Sequence, residues 1–415
     1  MTDTLTVRVY NVRFGDAILV TVPDRSPTGG KVTTRRILID VGNAPKVAGT
    51  GEGGSDEVFT EVVGSILDEL DGKPLDLYVM THEHLDHVQG LFYASTKLPA
   101  LDLANRLEVK HLWLTASADP NYYDNDKHPK AKQQSLAFAE MYARIAAHLA
   151  ARPAAEGRRL MEVLANNDPT KTKPCVDFLR ALNPSKTAYI YRGAKLRGTH
   201  PFREAKFEIW APEEDTADYY GRFQPLDKGV VPVTAAPAAE DPDAGAGGRG
   251  TRKPRISRPD EPRPPQGVDV GSFLQLVEAR RDGVADNLLT IDKAANNTSI
   301  VFTLEWRGWR LLFAGDAEIR SWKTMARENV LKPIHFLKVS HHGSHNGTPA
   351  DDIFEAILPA VAPDPRPRHA AISTWIDTYS GIPNSPTNTR LGSRVTVQST
   401  LDHKDKLFYE IEFPG

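Results

Sequence analysis

The spacing of apolar and polar positions divides the chain into short strands and amphipathic helices. Residues 4–10 (TLTVRVY), 17–22 (AILVTV) and 35–41 (RRILIDV) carry β-branched and apolar residues at strand periodicity. A turn at Asn11–Asp16 and a loop at 23–30 separate them, and Gly-rich residues 43–55 are expected to be mobile. From Ser55 to about Leu70 the period lengthens. Phe59, Val62, Val63, Ile66 and Leu70 share one helical face, with Ser55 as a cap and Gly72 past the end. Residues 75–80 (LDLYVM) return to a buried strand, a helix is expected from Val88, and 109–115 (VKHLWLT) read as another strand.

The stretch 119–185 departs from this rhythm. It opens with polar, Pro-bearing residues and continues as an amphipathic helix over about 130–151, with Phe138, Met141, Ile145 and Leu149 at helical spacing. Further helical pieces follow at 158–165 and 174–182. We read 119–185 as a helical insertion packed on the scaffold as a cap, the alternative being a lid over substrate. Strands at 187–191 and 206–211 return the chain to the scaffold over 186–231. Residues 232–267 hold eight Pro and five Gly with almost no large apolar residue, so they cannot offset the entropy of ordering and are expected to be a disordered linker or loop. A short helix (271–281), strands at 298–304 and 309–314, a helix over Glu318–Asn329 and a strand at 335–340 follow. A helix at 351–358 and strands at 370–374, 394–399 and 407–413 complete a second scaffold half, 268–415, to match the first at 1–118. The alternation is α/β, and the likeness of the halves predicts an αββα sandwich, two facing sheets with helices outside.

Composition narrows the options. The chain has 415 residues, of which 40% are hydrophobic and 25% charged, as in an ordinary globular protein. With a net charge of −3 nothing global argues for a polyanion- or membrane-binding surface, leaving the basic stretch Arg249, Arg252, Lys253, Arg255, Arg258 and Arg263 as a local candidate. Cys175 is the sole cysteine, which rules out an intrachain disulfide and clustered thiolate ligands. No basic leader or membrane-length apolar run is present, so the expected location is cytoplasmic.

One motif stands apart from packing. Directly after the strand ending at Met80 come His82, His84, Asp86 and His87. Buried together they would be costly unless a cation organised them, and neutral imidazoles with a carboxylate are the donor set of Zn, Mn or Fe. Later, Asp316 leaves an apolar strand (WRLLFAGDAE), and His341, His342 and His345 follow another (HFLKVSHHGSH). Asp316 could also be a helix N-cap.

His82-x-His84-x-Asp86-His87 after a strand resembles the signature of the metallo-β-lactamase-fold hydrolases. The resemblance implies that Asp316 bridges two metals, that His342 ligates the second, and that Asp40 in ILIDVG supports a ligand histidine from behind. His341 would touch a ligand or substrate, and His345 has no fixed counterpart. Where most members carry a further histidine, this chain reads Asn296-Asn297-Thr298-Ser299-Ile300-Val301. With "AGDAE", "SHHGS" and the Gly15-Asp16 turn, that sequence is similar to the hydrolase domain of ComEC-type DNA-uptake channels and its stand-alone relatives. The likeness covers 1–92 and 287–415. It implies one metal on His82, His84 and Asp316, with Asn297 or water completing it, and a second on Asp86, His87, Asp316 and His342. His200 is an outside candidate for the absent ligand. The oxygen-rich set admits Mn or Mg beside Zn.

The implied activity is metal-dependent hydrolysis with Asp86 and Asp316 as catalytic residues, acting on a phosphodiester in DNA or another nucleic acid. A small-molecule lactone, thioester, amide or cyclic nucleotide is the alternative substrate, and an inactive metal-bound interaction module is the alternative from another class.

Overall fold

The computed structural model describes residues 3–26, 29–44, 55–124, 126–151, 158–226, 283–349, 351–375 and 382–415. The expected linker at 232–267, the helix at 271–281 and most of the Gly-rich stretch at 43–55 lie outside these residues. In the first sheet β1 (Thr4–Tyr10), β2 (Ala17–Asp24) and β3 (Thr33–Val41) are antiparallel. They are followed in parallel by β4 (Leu77–Met80), β5 (Leu112–Thr115) and β6 (Thr187–Ile190). The second sheet repeats the scheme. β7 (Lys206–Ala211), β8 (Val301–Trp306) and β9 (Trp309–Phe313) are antiparallel, then β10 (Phe336–Lys338), β11 (His369–Ile372) and β12 (Thr396–Ser399) run parallel. The last strand, β13 (Phe408–Pro414), closes the first sheet beside β1.

Alternation sends one face of each sheet inward. Val7, Val9, Ile18, Val20, Ile37, Ile39 and Trp113 meet Phe302, Leu304, Leu311, Phe313 and Phe336 in a dry layer between the sheets. Outside the first sheet lie α1 (Ser55–Leu70), α2 (Leu85–Lys97) and α6 (Pro169–Leu182), with a one-turn α3 (Leu103–Arg106) beside them. Helices α8 (Ile319–Arg327), α9 (Asp351–Ile357) and α10 (Ser385–Gly392) cover the second. The result is two mixed sheets flanked by helices.

The remaining helices, α4 (Pro129–Ala150), α5 (Arg158–Asn166) and α7 (Val284–Asn296), pack on one another through Met141, Ile145, Leu149, Leu164, Leu288 and Ile291. The 119–185 insertion therefore divides. Its α4 and α5 form a separate layer with α7, whereas α6 packs through Cys175, Val176 and Leu179 on the first sheet's helices. α7 is a helix with no counterpart in the sequence-based expectation. Among the described residues no helix is long and apolar enough to cross a membrane.

Candidate metal centre

The site forms where parallel strands of both sheets end. Asp40 is the penultimate residue of β3, His82 follows β4, Asp316 follows β9, and His341 and His342 follow β10. Helix α2 begins at Leu85, three residues before the expected Val88, so Asp86 and His87 sit in its first turn. The helix start is pressed backbone-to-backbone against β3's end, since a Cβ on Gly42 would overlap the Asp86–His87 peptide. That approach puts His87 on Asp40. Asp40, His341 and His342 all hold left-handed backbone (φ 52°, 49° and 53°), which for residues with a Cβ costs about 1–3 kcal/mol each and gathers at functional sites.

Three imidazoles have their outer nitrogen engaged. His87 Nδ1 donates to Asp40 Oδ2 (2.8 Å), and His342 Nδ1 donates to the Ser373 carbonyl (2.8 Å). Thr81 Oγ1 donates to Asp40 Oδ2 (2.6 Å), so at 3.1 Å it is left to accept from His82 Nδ1. Each ring therefore turns Nε2 inward. His87 Nε2 lies 3.2 Å and His342 Nε2 3.3 Å from Asp316 Oδ2, and His342 Nε2 is 3.4 Å from Asp86 Oδ2. None of these contacts has hydrogen-bond geometry. His82 Nε2, His87 Nε2, His342 Nε2 and Asp316 Oδ1 are all buried without a hydrogen-bond partner.

So many unsatisfied buried polar atoms in one place would be expensive, and a cation satisfies them together. Asp86, His87, Asp316 and His342 offer ligand atoms within 4.8 Å of one another, so these residues fit a divalent metal ion. Cys175 is no rival ligand, because burial pushes its thiol up to about 12.

The electrostatics agree. Burial, with His87 and His84 nearby, drives His82 well below the usual imidazole range, so it is neutral and its lone pair is free. Burial would lower His87 and His342 too, but Asp316 and Asp86 outweigh it, lifting His87 well above its usual value and His342 to about 10. Burial opposes ionisation of Asp86 and Asp316, yet the same two imidazoles hold both carboxylates below the usual range. In the metal-free chain, protons on His87 and His342 balance the carboxylates that a cation would balance.

The other expected residues are placed differently. His84 stacks edge-on against His82 (4.6 Å), but its Nε2 is taken by Asn167 Oδ1 (2.7 Å), leaving only Nδ1 for a metal. Asn297 is engaged elsewhere: Oδ1 accepts from Ser321 Oγ (2.7 Å) and Nδ2 donates to the Lys293 carbonyl (2.7 Å), so its amide pins the start of α8. His200 lies in an aromatic cluster with Trp113, Phe202 and Phe207, where burial lowers it to about 4. His341 faces Glu318 (3.5 Å) and, with His345, lines a cavity of about 370 Å³ that reaches Asp86 and Asp316.

Two sets of residues escaped the sequence reading. Asn166 and Asn167, at the end of α5, clamp the motif: Asn166 Nδ2 donates to Asp86 Oδ1 (2.9 Å) and its Oδ1 accepts the Asp86 N–H (3.1 Å). Their only signal was an Asn-Asn-Asp run closing a helical piece. Beneath the site, fully buried Lys338 pairs with Asp16 (2.7 Å), which also accepts from the Ser373 hydroxyl, joining the two sheets. Lys338 was visible as a lone charge inside the apolar run HFLKV. No protein-family model matches the chain, and no curated protein matches its sequence.

Proposed function

We propose that the protein is a metal-dependent hydrolase of metallo-β-lactamase type, close to the ComEC-like branch, that holds two divalent ions and cleaves phosphodiesters, with nucleic acid as the favoured substrate. The observation that carries this reading is the buried cluster of Asp86, His87, Asp316 and His342 beside His82, in which three inward Nε2 atoms and Asp316 Oδ1 lack any hydrogen-bond partner. Asp86, His87, Asp316 and His342 would hold one ion. His82 Nε2, Asp316 and Nδ1 of His84 are the donors left for another. Zn or Mn suits this set, with Mg admitted by its oxygens. Bound ions supply Lewis acidity, lowering the pKa of a water and offsetting charge on the attacking and leaving oxygens of a phosphoryl transfer.

The chain's own residues supply the order around that chemistry. Asp40 and Ser373 fix the tautomers of His87 and His342. Asn166 restrains Asp86, leaving Oδ2 toward the centre to orient a water and take its proton. α5 and α7 wall the cavity through Asn166, Val163, Leu289 and Asp292 and limit solvent.

That enclosure favours one second reading. A cavity of about 370 Å³ lies at the low end of the roughly 300–1,000 Å³ typical of small-ligand pockets, so a cyclic nucleotide or small acyl compound is the alternative. The test is cleavage of labelled single- and double-stranded DNA, and of bis(p-nitrophenyl) phosphate, with Mn and with Zn, by the wild type and Asp86→Ala. Metal-dependent cleavage that the substitution abolishes supports the proposal. Intact nucleic acids and model diesters would remove it and move the search to acyl substrates.

A further inference from the structure

Beside the metal centre lies a second chamber, a cavity of about 210 Å³ under the helical layer. His84 lines both cavities, and Asn166 and Asn167 divide them, the first facing the metal centre and the second facing this chamber. Four aromatic rings, Tyr123, Phe138, Tyr142 and Tyr220, stand in its walls. Phe138 and Tyr220 meet edge to face (5.9 Å, 87°), so one corner offers both a ring face and a ring edge. The tyrosine hydroxyls are engaged within the protein: Tyr123 and Tyr220 bond each other (2.8 Å), and Tyr142 donates to the Leu164 carbonyl (3.1 Å). What these residues present to the chamber is flat carbon surface.

Polar groups interrupt that surface, among them His84, Ser117, Asn167 and Thr298, and one of the lining residues is acidic. Glu83, between the two histidines of the metal motif, lines the chamber, and Ser117 Oγ donates to its Oε1 at a long 3.4 Å. Among the described residues no Lys, Arg or His lies within ion-pair distance of it. A carboxylate with unused acceptor capacity, set among ring faces, selects a planar ring that carries N–H donors. Enzymes that hold a single base combine these same elements, aromatic or apolar walls with hydrogen bonds to the base's edge. The volume suits one ring system and is too small for a drug-sized ligand.

We infer that this chamber is a nucleobase pocket, with Tyr123, Phe138, Tyr142 and Tyr220 as stacking walls and Glu83 accepting from the amine and ring N–H of the base. Guanine fits best, because its ring N–H and exocyclic amine lie side by side; uracil, with no amine, fits worst. The inference rests on the phosphodiester reading above only for what the base is attached to. It gives the helical layer a role in choosing which nucleotide lies next to the metal centre.

The experiment is calorimetric titration of the full-length protein, metal chelated, with guanosine and with uridine. Neither ligand has a phosphate and no turnover is needed, so the result is independent of the proposed reaction. Guanosine is expected to bind saturably and more tightly than uridine, with Glu83→Gln weakening it roughly tenfold, the equivalent of one lost charge-assisted contact. Ala139→Trp, at an exposed position on the chamber's rim, should abolish binding without unfolding the protein, checked by its melting temperature. Guanosine binding that both substitutions diminish supports the pocket even where no phosphodiester is cleaved. Absent binding, equal binding of uridine, or wild-type binding by Ala139→Trp overturns it.

Discussion

Two neighbouring clusters of the same residue types end up as different things. The first joins Asp86, His87, Asp316 and His342; the second joins Asp292, Glu318 and His341 across α7, the start of α8 and the loop after β10. In the second, an amide stands between the carboxylates: Asn296 Nδ2 donates to Glu318 Oε1 (3.0 Å) and Asp292 Oδ2 (3.3 Å), while Asn167 Nδ2 donates to Asp292 Oδ1 (2.9 Å). Those donors do for the two carboxylates what a cation would do, so the acids belong to a hydrogen-bonded network even though His341 Nδ1 and Asn296 Oδ1 are buried without a partner. In the first, the Nδ1 donors sit behind the rings and Asn166 donates only to Asp86 Oδ1, so the inward Nε2 atoms of His82, His87 and His342 and Asp316 Oδ1 have no hydrogen-bond partner. What separates the candidate metal centre from the polar network is that its imidazoles are held from behind through Nδ1, which turns Nε2 inward.

This contrast can be broken most severely at its centre. Asp316→Ala removes the carboxylate whose Oδ2 lies 3.2 Å from His87 Nε2 and 3.3 Å from His342 Nε2, and should cost roughly 1,000-fold or more in hydrolysis, several kcal/mol of transition-state stabilisation. Steady-state kinetics on a model diester would measure it, and retention of more than a tenth of the activity would be incompatible with the proposed site. Asp40→Asn tests the outer contacts, since Asp40 also accepts from the Thr81 N–H and from the Thr81 hydroxyl that orients His82. The ring of His87 loses its anionic acceptor, and metal affinity should fall about 10–100-fold with the fold intact. A metal-competition titration reads that change directly.

The proton balance gives a prediction with a definite sign. His342, at about 10 in the folded metal-free chain, stands above its unfolded value of about 6.5. Its contribution to stability is complete below pH 6.5 and is lost as pH rises through 10. The depressed Asp86 and Asp316 contribute above their unfolded range, about pH 4, and lose it as pH falls further. Chelated protein should therefore show a melting temperature that declines from pH 6.5 to 10, a decline that saturating metal suppresses. Parallel pH curves with and without metal would argue against the site. Metal affinity should also rise with pH over the same window, because binding displaces those protons. The mildest test belongs to the second cluster: Glu318→Gln keeps an acceptor for Asn296 and should change stability by less than about 1 kcal/mol, with metal content unaltered.

The sequence made part of this centre readable because its residues crowd onto strand ends. His82 to His87 occupy six positions after β4, and Asp316 and His342 follow short, near-continuous apolar runs that read as buried strands. The strands themselves were legible to within a few residues because they are short apolar, β-branched runs, many of them buried on both faces. What stayed hidden depends on contacts distant in sequence. The Asn166 amide reaches Asp86 across 80 positions, and Lys338 meets Asp16 from the opposite end of the chain; neither contact leaves a periodic trace. Helix α7 carries Val284, Leu288, Ile291 and Ala294 at helical spacing, but its buried Asn287 and Asn296 interrupt the apolar face with polar groups that only tertiary partners explain. The turning of His84 toward Asn167 likewise depends on a helix that folds over the motif from elsewhere.

The central claim is that Asp86, His87, Asp316 and His342 hold a divalent ion, and the most direct test is metal content. Purified wild type and Asp316→Ala would be stripped with chelator, dialysed against excess Zn or Mn, freed of loose ion and assayed by mass spectrometry. The account predicts stoichiometric metal in the wild type and its loss in the variant. Background metal in both proteins, or equal metal in both, would contradict it.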